Sequence, residues 1–217
     1  MTRKNMSFTD QLFSFSLRNK SRVIFIFKLL YCALFAFLIL GSYAAYTLNS
    51  LYGFFYQTAL WSGRSAIVLY MITTIPGITR RFGIHHKTIG ILMLFRRYIG
   101  ITMFILVLNH FMVVKGALMF KGIFDVSPPV FQIFGSLAFL CLIPMVMTSN
   151  DISVSKLGAW WGKIHTLTYI IVWFIFLHVA LQRISIWSIL IGITAIAQIS
   201  SHLFSVLKSR KTIESPK

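Results

Sequence analysis

Long apolar runs, each close to twenty residues, constrain this chain more than any other feature of its sequence. A helix of that length matches the hydrocarbon thickness of a bilayer at ~1.5 Å per residue. The runs lie at 23–45, 60–79, 98–114, 129–147, 164–181 and 184–207. Hydrophobic residues make up 57% of the chain and charged residues 12%, which excludes an ordinary soluble domain. The sequence therefore predicts an all-α integral membrane protein, a bundle of six transmembrane helices.

The sequence predicts one domain with short polar ends. We predict a cytoplasmic N-terminal segment at 1–22, the six-helix domain at 23–207 and a cytoplasmic tail at 208–217. The first apolar run exceeds the ~7–15 residues of a signal-peptide core, so we interpret it as a retained helix. The chain has no glycine-rich phosphate-binding motif, and nicotinamide chemistry would therefore have to come from another polypeptide.

The strong basic charge is explained by topology. The formal net charge is +17, with 21 Lys and Arg residues. If the N-terminus is cytoplasmic, the outer side holds only Arg64, Lys115, Lys121 and Arg183. This asymmetry predicts a multi-pass protein of the inner membrane with both termini in the cytoplasm. The lipid bilayer is then its surroundings, and nucleic-acid binding is not needed to explain the charge.

Two histidines share one depth in the predicted bundle. Counted from the inner ends of their helices, His110, His178 and Arg64 lie roughly 20, 22 and 24 Å up at ~1.5 Å per residue. Imidazoles at one depth on predicted helices 3 and 5 suit bis-histidine ligation of one b-type haem held between them. An arginine slightly above them suits a haem propionate. The alternative is that both histidines only hydrogen-bond to neighbouring helices.

A third histidine, His165, lies near the inner surface on the same predicted helix as His178. At ~100° per residue the two imidazoles would point about 140° apart, so they can share a face only if the helix is locally distorted. A second bis-histidine haem lacks an obvious ligand, because predicted helix 3 offers Arg96 or Arg97 at that depth. With Lys163, these arginines would attract an anionic cofactor such as flavin mononucleotide or the haem propionates. The alternative for His165 is a solvated interfacial histidine.

Small residues accompany the histidine-bearing segments. Gly63, Gly100 and Gly135 either allow helices to approach closely or make room for a macrocycle. The sequence leaves these two roles open.

Two functional classes follow from intramembrane histidines. The first is a transmembrane electron conduit, and the second is a histidine-containing transporter or ion carrier. The acidic residues lie in predicted loops or tails, and they are Asp10, Asp125, Asp151 and Glu214. None can relay protons or bind cations at the midplane, so the sequence favours the electron conduit.

Four stretches carry a family resemblance over about residues 60 to 182. They are SGRSAIVLYMITTIPGI, RRYIGITMFILVLNH, GSLAFLCLIPMVMTSN and LGAWWGKIHTLTYIIVWFIFLH. In order and spacing they resemble the ferric-reductase-like transmembrane domain superfamily, and within it the MsrQ-type haem-binding subunits of bacterial methionine-sulfoxide reductase systems. The resemblance implies His110, His165 and His178 as haem-associated residues, with Arg64 at the Gly-Arg position of the motif.

The same resemblance implies cofactors and partners. It implies haem b in one or two copies, with flavin mononucleotide as a further candidate. It also implies that electrons pass from a cytoplasmic flavin reductase or a quinol to a periplasmic molybdopterin methionine-sulfoxide reductase subunit. The chain would be the electron-transfer subunit of an oxidoreductase complex, and whether it is itself an enzyme stays open. The alternative within the superfamily is a ferric or cupric reductase-like cytochrome b with a different acceptor.

One departure bears on the number of haems. Larger relatives in the superfamily carry two histidines on the third helix, where this chain has Arg96 and Arg97. The resemblance therefore leaves the haem count open.

Overall fold

The computed structural model describes residues 7–124 and 127–214, and the regular structure of these residues is helical. Residues 1–6 of the predicted N-terminal segment, residues 215–217 of the predicted tail and Asp125 lie outside the described residues. In chain order the helices are α1 Phe8–Arg18, α2 Lys20–Thr47, α3 Tyr52–Arg81, α4 Lys87–Phe111, a π-helical turn Met112–Gly116, α5 Ala117–Phe120, α6 Val130–Met147, α7 Asp151–Leu157, α8 Ala159–His165, α9 Thr168–Gln182 and α10 Ile186–Glu214.

Five helical stretches among the described residues are long and apolar enough to cross a membrane. They are Lys20–Thr47, Lys87–Phe120, Val130–Met147, Ala159–Gln182 and Ile186–Lys208. The predicted all-helical membrane class is therefore confirmed. The run at 60–79 lies in α3, whose hydropathy is lowered by Arg64 and several Ser and Thr residues. The predicted sixth crossing stays a prediction.

Helix α3 takes part in both clusters of buried side chains. One cluster joins α3, α4, α6, α9 and α10, and its members are Ala66, Tyr70, Met103, Leu142, Ile171, Val172, Ile191 and Ala195. The other joins α2 and α3 to the segment after α4, and its members are Ala44, Ala45, Phe55, Ala59, Val113 and Ala117. The first part and the middle of α3 are thus packed in apolar surroundings. The hydroxyl of Tyr70 also donates to the carbonyl oxygen of Thr168 at 2.6 Å, which ties α3 to the start of α9.

The histidine-bearing helices belong to two helix pairs, α3 with α4 and α6 with α9. Helix α2 packs beside the first pair and α10 beside the second. Besides the core cluster that they share, the pairs meet where Phe139 of α6 stacks on Phe104 and Phe111 of α4. Their ring centroids are 5.9 and 4.7 Å apart, and the ring planes are 9° and 15° from parallel. Such stacked pairs contribute beyond their buried area.

The predicted helix over 164–181 is interrupted. Helix α8 ends at His165 and α9 begins at Thr168. Between them the N–H of Leu167 bonds three residues back, to the carbonyl oxygen of Ile164 at 3.1 Å. A tightened turn of this kind changes the rotation per residue. It supplies a local distortion between His165 and His178.

Basic residues gather at one end of the bundle. Helix α1, which the sequence did not predict, is held there by a salt bridge between Asp10 and Lys87. A second ion pair joins Arg97 to Asp151 across 2.7 Å. Helix α1 begins with a capping box, in which the Ser7 side chain accepts from the N–H of Asp10. The short amphipathic helix therefore packs on the start of α4.

Candidate functional site

The side chain of His110 points from α4 to the backbone of α3. Its Nδ1 atom lies 2.9 Å from the carbonyl oxygen of Ala59. The imidazole occupies the space beside Gly63, where a Cβ atom would come within 3.0 Å of Nδ1. The ring can lie there because residue 63 is glycine.

A buried polar network supports the same carbonyl group. The hydroxyl of Ser62 donates to the carbonyl oxygen of Ala59 at 2.7 Å, and the Asn109 amide donates to that hydroxyl at 3.2 Å. Ser62 and Asn109 are both buried. Two neighbouring residues of α4, Asn109 and His110, thus bind the same turn of α3, which fixes the rotation of α4 at this depth.

His178 repeats this arrangement on the other helix pair. Its Nδ1 atom lies 2.7 Å from the carbonyl oxygen of Phe131 on α6. A Cβ atom on Gly135 would come within 2.6 Å of that nitrogen. In both cases the accepting carbonyl precedes the glycine by four residues, one helical turn.

These contacts determine the tautomer of both imidazoles. A carbonyl oxygen only accepts hydrogen bonds, so Nδ1 must carry the proton in His110 and in His178. In a neutral imidazole the lone pair then lies on Nε2, the atom available to bind a metal. The two histidines that the sequence placed at one depth thus make the same kind of backbone contact, each on a different helix.

His165 has different surroundings. Its ring stacks on Trp161 with centroids 4.2 Å apart, and its Nε2 atom lies 3.2 Å from Oγ1 of Thr148 on α6. That hydroxyl donates to the carbonyl oxygen of Pro144 at 2.8 Å, so it accepts from Nε2. His165 and His178 both face α6, near its opposite ends.

The predicted arginines lie in three settings. Arg64 is exposed, next to Gly63, with its guanidinium carbon 4.7 Å from the centroid of the Trp61 ring. Arg97 donates to Asp151. Arg96 is exposed. Of the other predicted inner-side cations, Arg97 is engaged in an ion pair, and Lys163 lies over the ring of Trp160, 4.3 Å from its centroid.

A further cation joins this inner group. Arg81 at the end of α3 lies over the ring of Tyr169, 5.1 Å from its centroid, and its NH1 atom is 3.4 Å from Oγ of Ser201. The sequence analysis missed Arg81 as a site residue, although its position in the basic run after the second apolar stretch was a signal.

The donor set fits a haem better than a metal ion held by protein alone. Within residues 7–124 and 127–214, no group of three or more His, Cys, Asp or Glu side chains is placed to hold a metal ion. A haem brings four nitrogen ligands of its own, so two imidazoles with free Nε2 atoms suffice. His110 and His178 are therefore the residues that could hold such a group.

Comparison with curated proteins finds relatives named "Protein-methionine-sulfoxide reductase heme-binding subunit MsrQ". The chain is 32% identical over 127 residues to the protein from Rhizobium meliloti, covering 57% of this chain and 55% of the relative. It is 33% identical over 116 residues to the protein from Brucella ovis, covering 51% and 48%. The chain spans about half the length of the curated relatives it matches. These names confirm the resemblance to the MsrQ type. No family model and no solved structure matches the chain.

Proposed function

We propose that this chain is a transmembrane electron-transfer haem protein, the haem-binding subunit of a methionine-sulfoxide reductase system. The main observation that supports this proposal is that His110 and His178 each donate Nδ1–H to a helix carbonyl beside a glycine. The names of its relatives support the same conclusion. It would lie in a bacterial inner membrane with both termini cytoplasmic, as the charge asymmetry indicates.

His110 and His178 would hold the haem between α4 and α9 through their Nε2 atoms. When bound, a b-type haem would supply one-electron chemistry. The protein's part is to hold both imidazoles in one tautomer and orientation, through the carbonyls of Ala59 and Phe131. Whether a second haem binds stays open.

Helix α3 serves in this proposal as the sixth crossing. Its 30 residues would span roughly 45 Å at ~1.5 Å per residue. Tyr70 in its middle is 2% exposed and packs in the core shared with α4, α6, α9 and α10. A helix enclosed by apolar partners can cross with more polar residues than one that faces lipid, because those residues face the bundle.

Electrons would enter at the end where the basic residues gather. A haem at His110 and His178 lies roughly 20 Å from that surface at ~1.5 Å per residue, so a relay is needed. His165 lies in between and contacts α6 below His178. Arg81 and Arg96 are the better candidates to bind an anionic relay such as flavin mononucleotide, because Arg97 already pairs with Asp151.

On the outer side we propose that Arg64 binds a haem propionate. Arg64 follows Gly63, the residue against which His110 packs, so it lies on the same turn of α3 as the contact of that histidine. The acceptor would be a periplasmic molybdopterin methionine-sulfoxide reductase subunit, and the donor a cytoplasmic flavin reductase or a quinol. The second candidate function is a ferric or cupric reductase-like cytochrome, since the membrane motifs are shared.

A stopped-flow experiment separates these functions. The purified protein is reduced with dithionite, freed of reductant, and mixed with a periplasmic methionine-sulfoxide reductase subunit and its oxidised substrate, or with ferric citrate. We expect the purified protein to show a low-spin b-type spectrum. We expect fast reoxidation only in the mixture with the methionine-sulfoxide reductase subunit and its oxidised substrate. Fast reoxidation only by ferric citrate would support the second function, and a protein that binds no haem would contradict both.

A further inference from the structure

We propose that Gly63 and Gly135 are matched positioning residues, each of which opens a helix carbonyl to an imidazole and thereby orients a histidine that would hold the haem. This inference rests on the proposed function. Neither glycine would need to touch the bound group. Each acts through the histidine beside it, by leaving the carbonyl of Ala59 or of Phe131 accessible.

The geometry of an α-helix explains what a glycine contributes at that spacing. The carbonyl of residue i points along the axis toward the N–H of residue i+4, and the side chain of residue i+4 lies back over the same turn. A planar imidazole that approaches that carbonyl from a neighbouring helix therefore comes against the Cβ of residue i+4, and a glycine at that position removes the obstacle. Ala59 with Gly63 and Phe131 with Gly135 both have this spacing.

The contacts that a Cβ would make in the structure agree with this steric conflict. A Cβ on Gly63 would stand 3.0 Å from Nδ1 of His110, and one on Gly135 would stand 2.6 Å from Nδ1 of His178. The nearest atom in each case is the nitrogen that makes the hydrogen bond. An alanine would therefore push the imidazole off its carbonyl, and not merely crowd the ring.

Other glycines of the bundle do not show this pattern. Gly192 meets only carbon atoms, those of the Phe176 ring at 3.1 Å or more. A Cβ on Gly53 or on Gly100 would have no neighbour within 4 Å. Close packing alone thus does not account for Gly63 and Gly135, which are distinguished by a polar contact to a histidine. Gly192 and Gly53 provide matched controls for crowding and for helix propensity.

The consequence for the ligand is electronic as well as steric. A hydrogen bond from Nδ1–H to a carbonyl makes the opposite nitrogen a stronger donor, and loss of such an outer contact typically costs ~10–100-fold in metal affinity. A weaker imidazole donor stabilises ferric iron less, so the midpoint potential should rise. The freed imidazole can also rotate or change tautomer.

The test compares Gly63→Ala and Gly135→Ala with Gly192→Ala and Gly53→Ala. In the full-length protein we expect the first two variants to bind haem ~10–100-fold more weakly, with a raised midpoint potential and altered low-spin electron paramagnetic resonance g values. The controls should match the wild type in all three. An unchanged affinity, potential and g pattern in Gly63→Ala and Gly135→Ala would overturn the proposal.

A second measurement needs neither haem nor a variant that folds. In the apoprotein, ¹⁵N resonance shifts of the imidazole nitrogens should show His110 and His178 as the Nδ1–H tautomer. Finding the Nε2–H tautomer in both would overturn the positioning role, even if the holoprotein proved to be the proposed electron carrier. A wild-type protein that binds no haem but shows the Nδ1–H tautomers would contradict the proposed function. It would still support the hydrogen bonds from His110 and His178 to their helix carbonyls.

Discussion

Phe139 of α6 stacks on Phe111 of α4, with the ring centroids 4.7 Å apart and the ring planes 15° from parallel. Phe111 directly follows His110, and Phe139 lies one turn after Gly135, the residue beside His178. This stack is therefore one of the contacts between the two helix pairs near the histidines, beside the core cluster that joins α3, α4, α6, α9 and α10.

Replacing Phe139 should loosen the junction between the pairs. Phe139→Ala removes the stacks with Phe104 and Phe111, and we expect destabilisation on the order of 2 kcal/mol, below the ~3–5 kcal/mol of a fully buried site. Thermal unfolding in detergent measures it. Phe25→Ala, at a side chain that is 60% exposed, is the control and should change little. Equal midpoints for the two variants would contradict a special role for the stack.

The helical runs were predictable because their cause is local. The predicted segment at 129–147 differs by one residue from α6, since Pro129 fixes the start of the helix and apolar residues fill the rest. The break after His165 was predicted only as a condition for two histidines to share a face, because its position depends on packing against α6. Helix α1 was missed, since its polar residues concealed a short amphipathic pattern.

The backbone contacts of the candidate site could not be predicted from the sequence. Matched depth selected His110 and His178 as the candidate ligands. The accepting carbonyls of Ala59 and Phe131 have no sequence signature of their own. Gly63 and Gly135 were noticed as small residues, but their roles depend on which face of a neighbouring helix points at them. The rotation of one helix against its neighbour is decided by tertiary packing, so the sequence of either helix alone does not show it.

His165 should matter for electron entry and not for binding of the haem at His110 and His178. His165→Ala removes a ring that stacks on Trp161 and contacts Thr148. These contacts are separate from the hydrogen bond that His178 makes. We expect full haem content and normal reduction by dithionite, but reduction by a cytoplasmic flavin reductase or a quinol at least tenfold slower. Wild-type rates with the physiological type of donor would show that His165 is only an interfacial residue.

Arg64 should tune the haem from the outer side. Arg64→Leu removes the guanidinium beside Gly63, and a propionate would lose its charge-assisted partner. We expect a lower midpoint potential or weaker haem retention, measured by redox titration and haem content. Arg183→Leu, at the end of α9, is a control for the loss of one outer charge. Identical behaviour of the two variants would place the propionate elsewhere.

The docking of α1 should depend on pH through Asp10. The Lys87 ammonium holds the pKa of the Asp10 carboxyl below its ordinary value of 3.8. The stabilising pair is thus present above that value and is lost as the pH falls through the lowered pKa. Asp10→Asn should raise hydrogen exchange of the α1 amides at neutral pH, whereas Asp151→Asn should not. Equal exchange in wild type and Asp10→Asn would show that apolar packing alone holds α1.

The central claim is that one b-type haem is held by His110 and His178. The most direct measurement is the reduced-minus-oxidised visible spectrum and haem content of purified His110→Ala and His178→Ala, beside wild type and His202→Ala. His202 lies on α10 near Tyr169, outside the proposed ligand set. The account predicts that each of the first two variants loses the low-spin b-type spectrum while His202→Ala keeps it. Full haem content with an unchanged low-spin spectrum in both single variants would contradict the assignment.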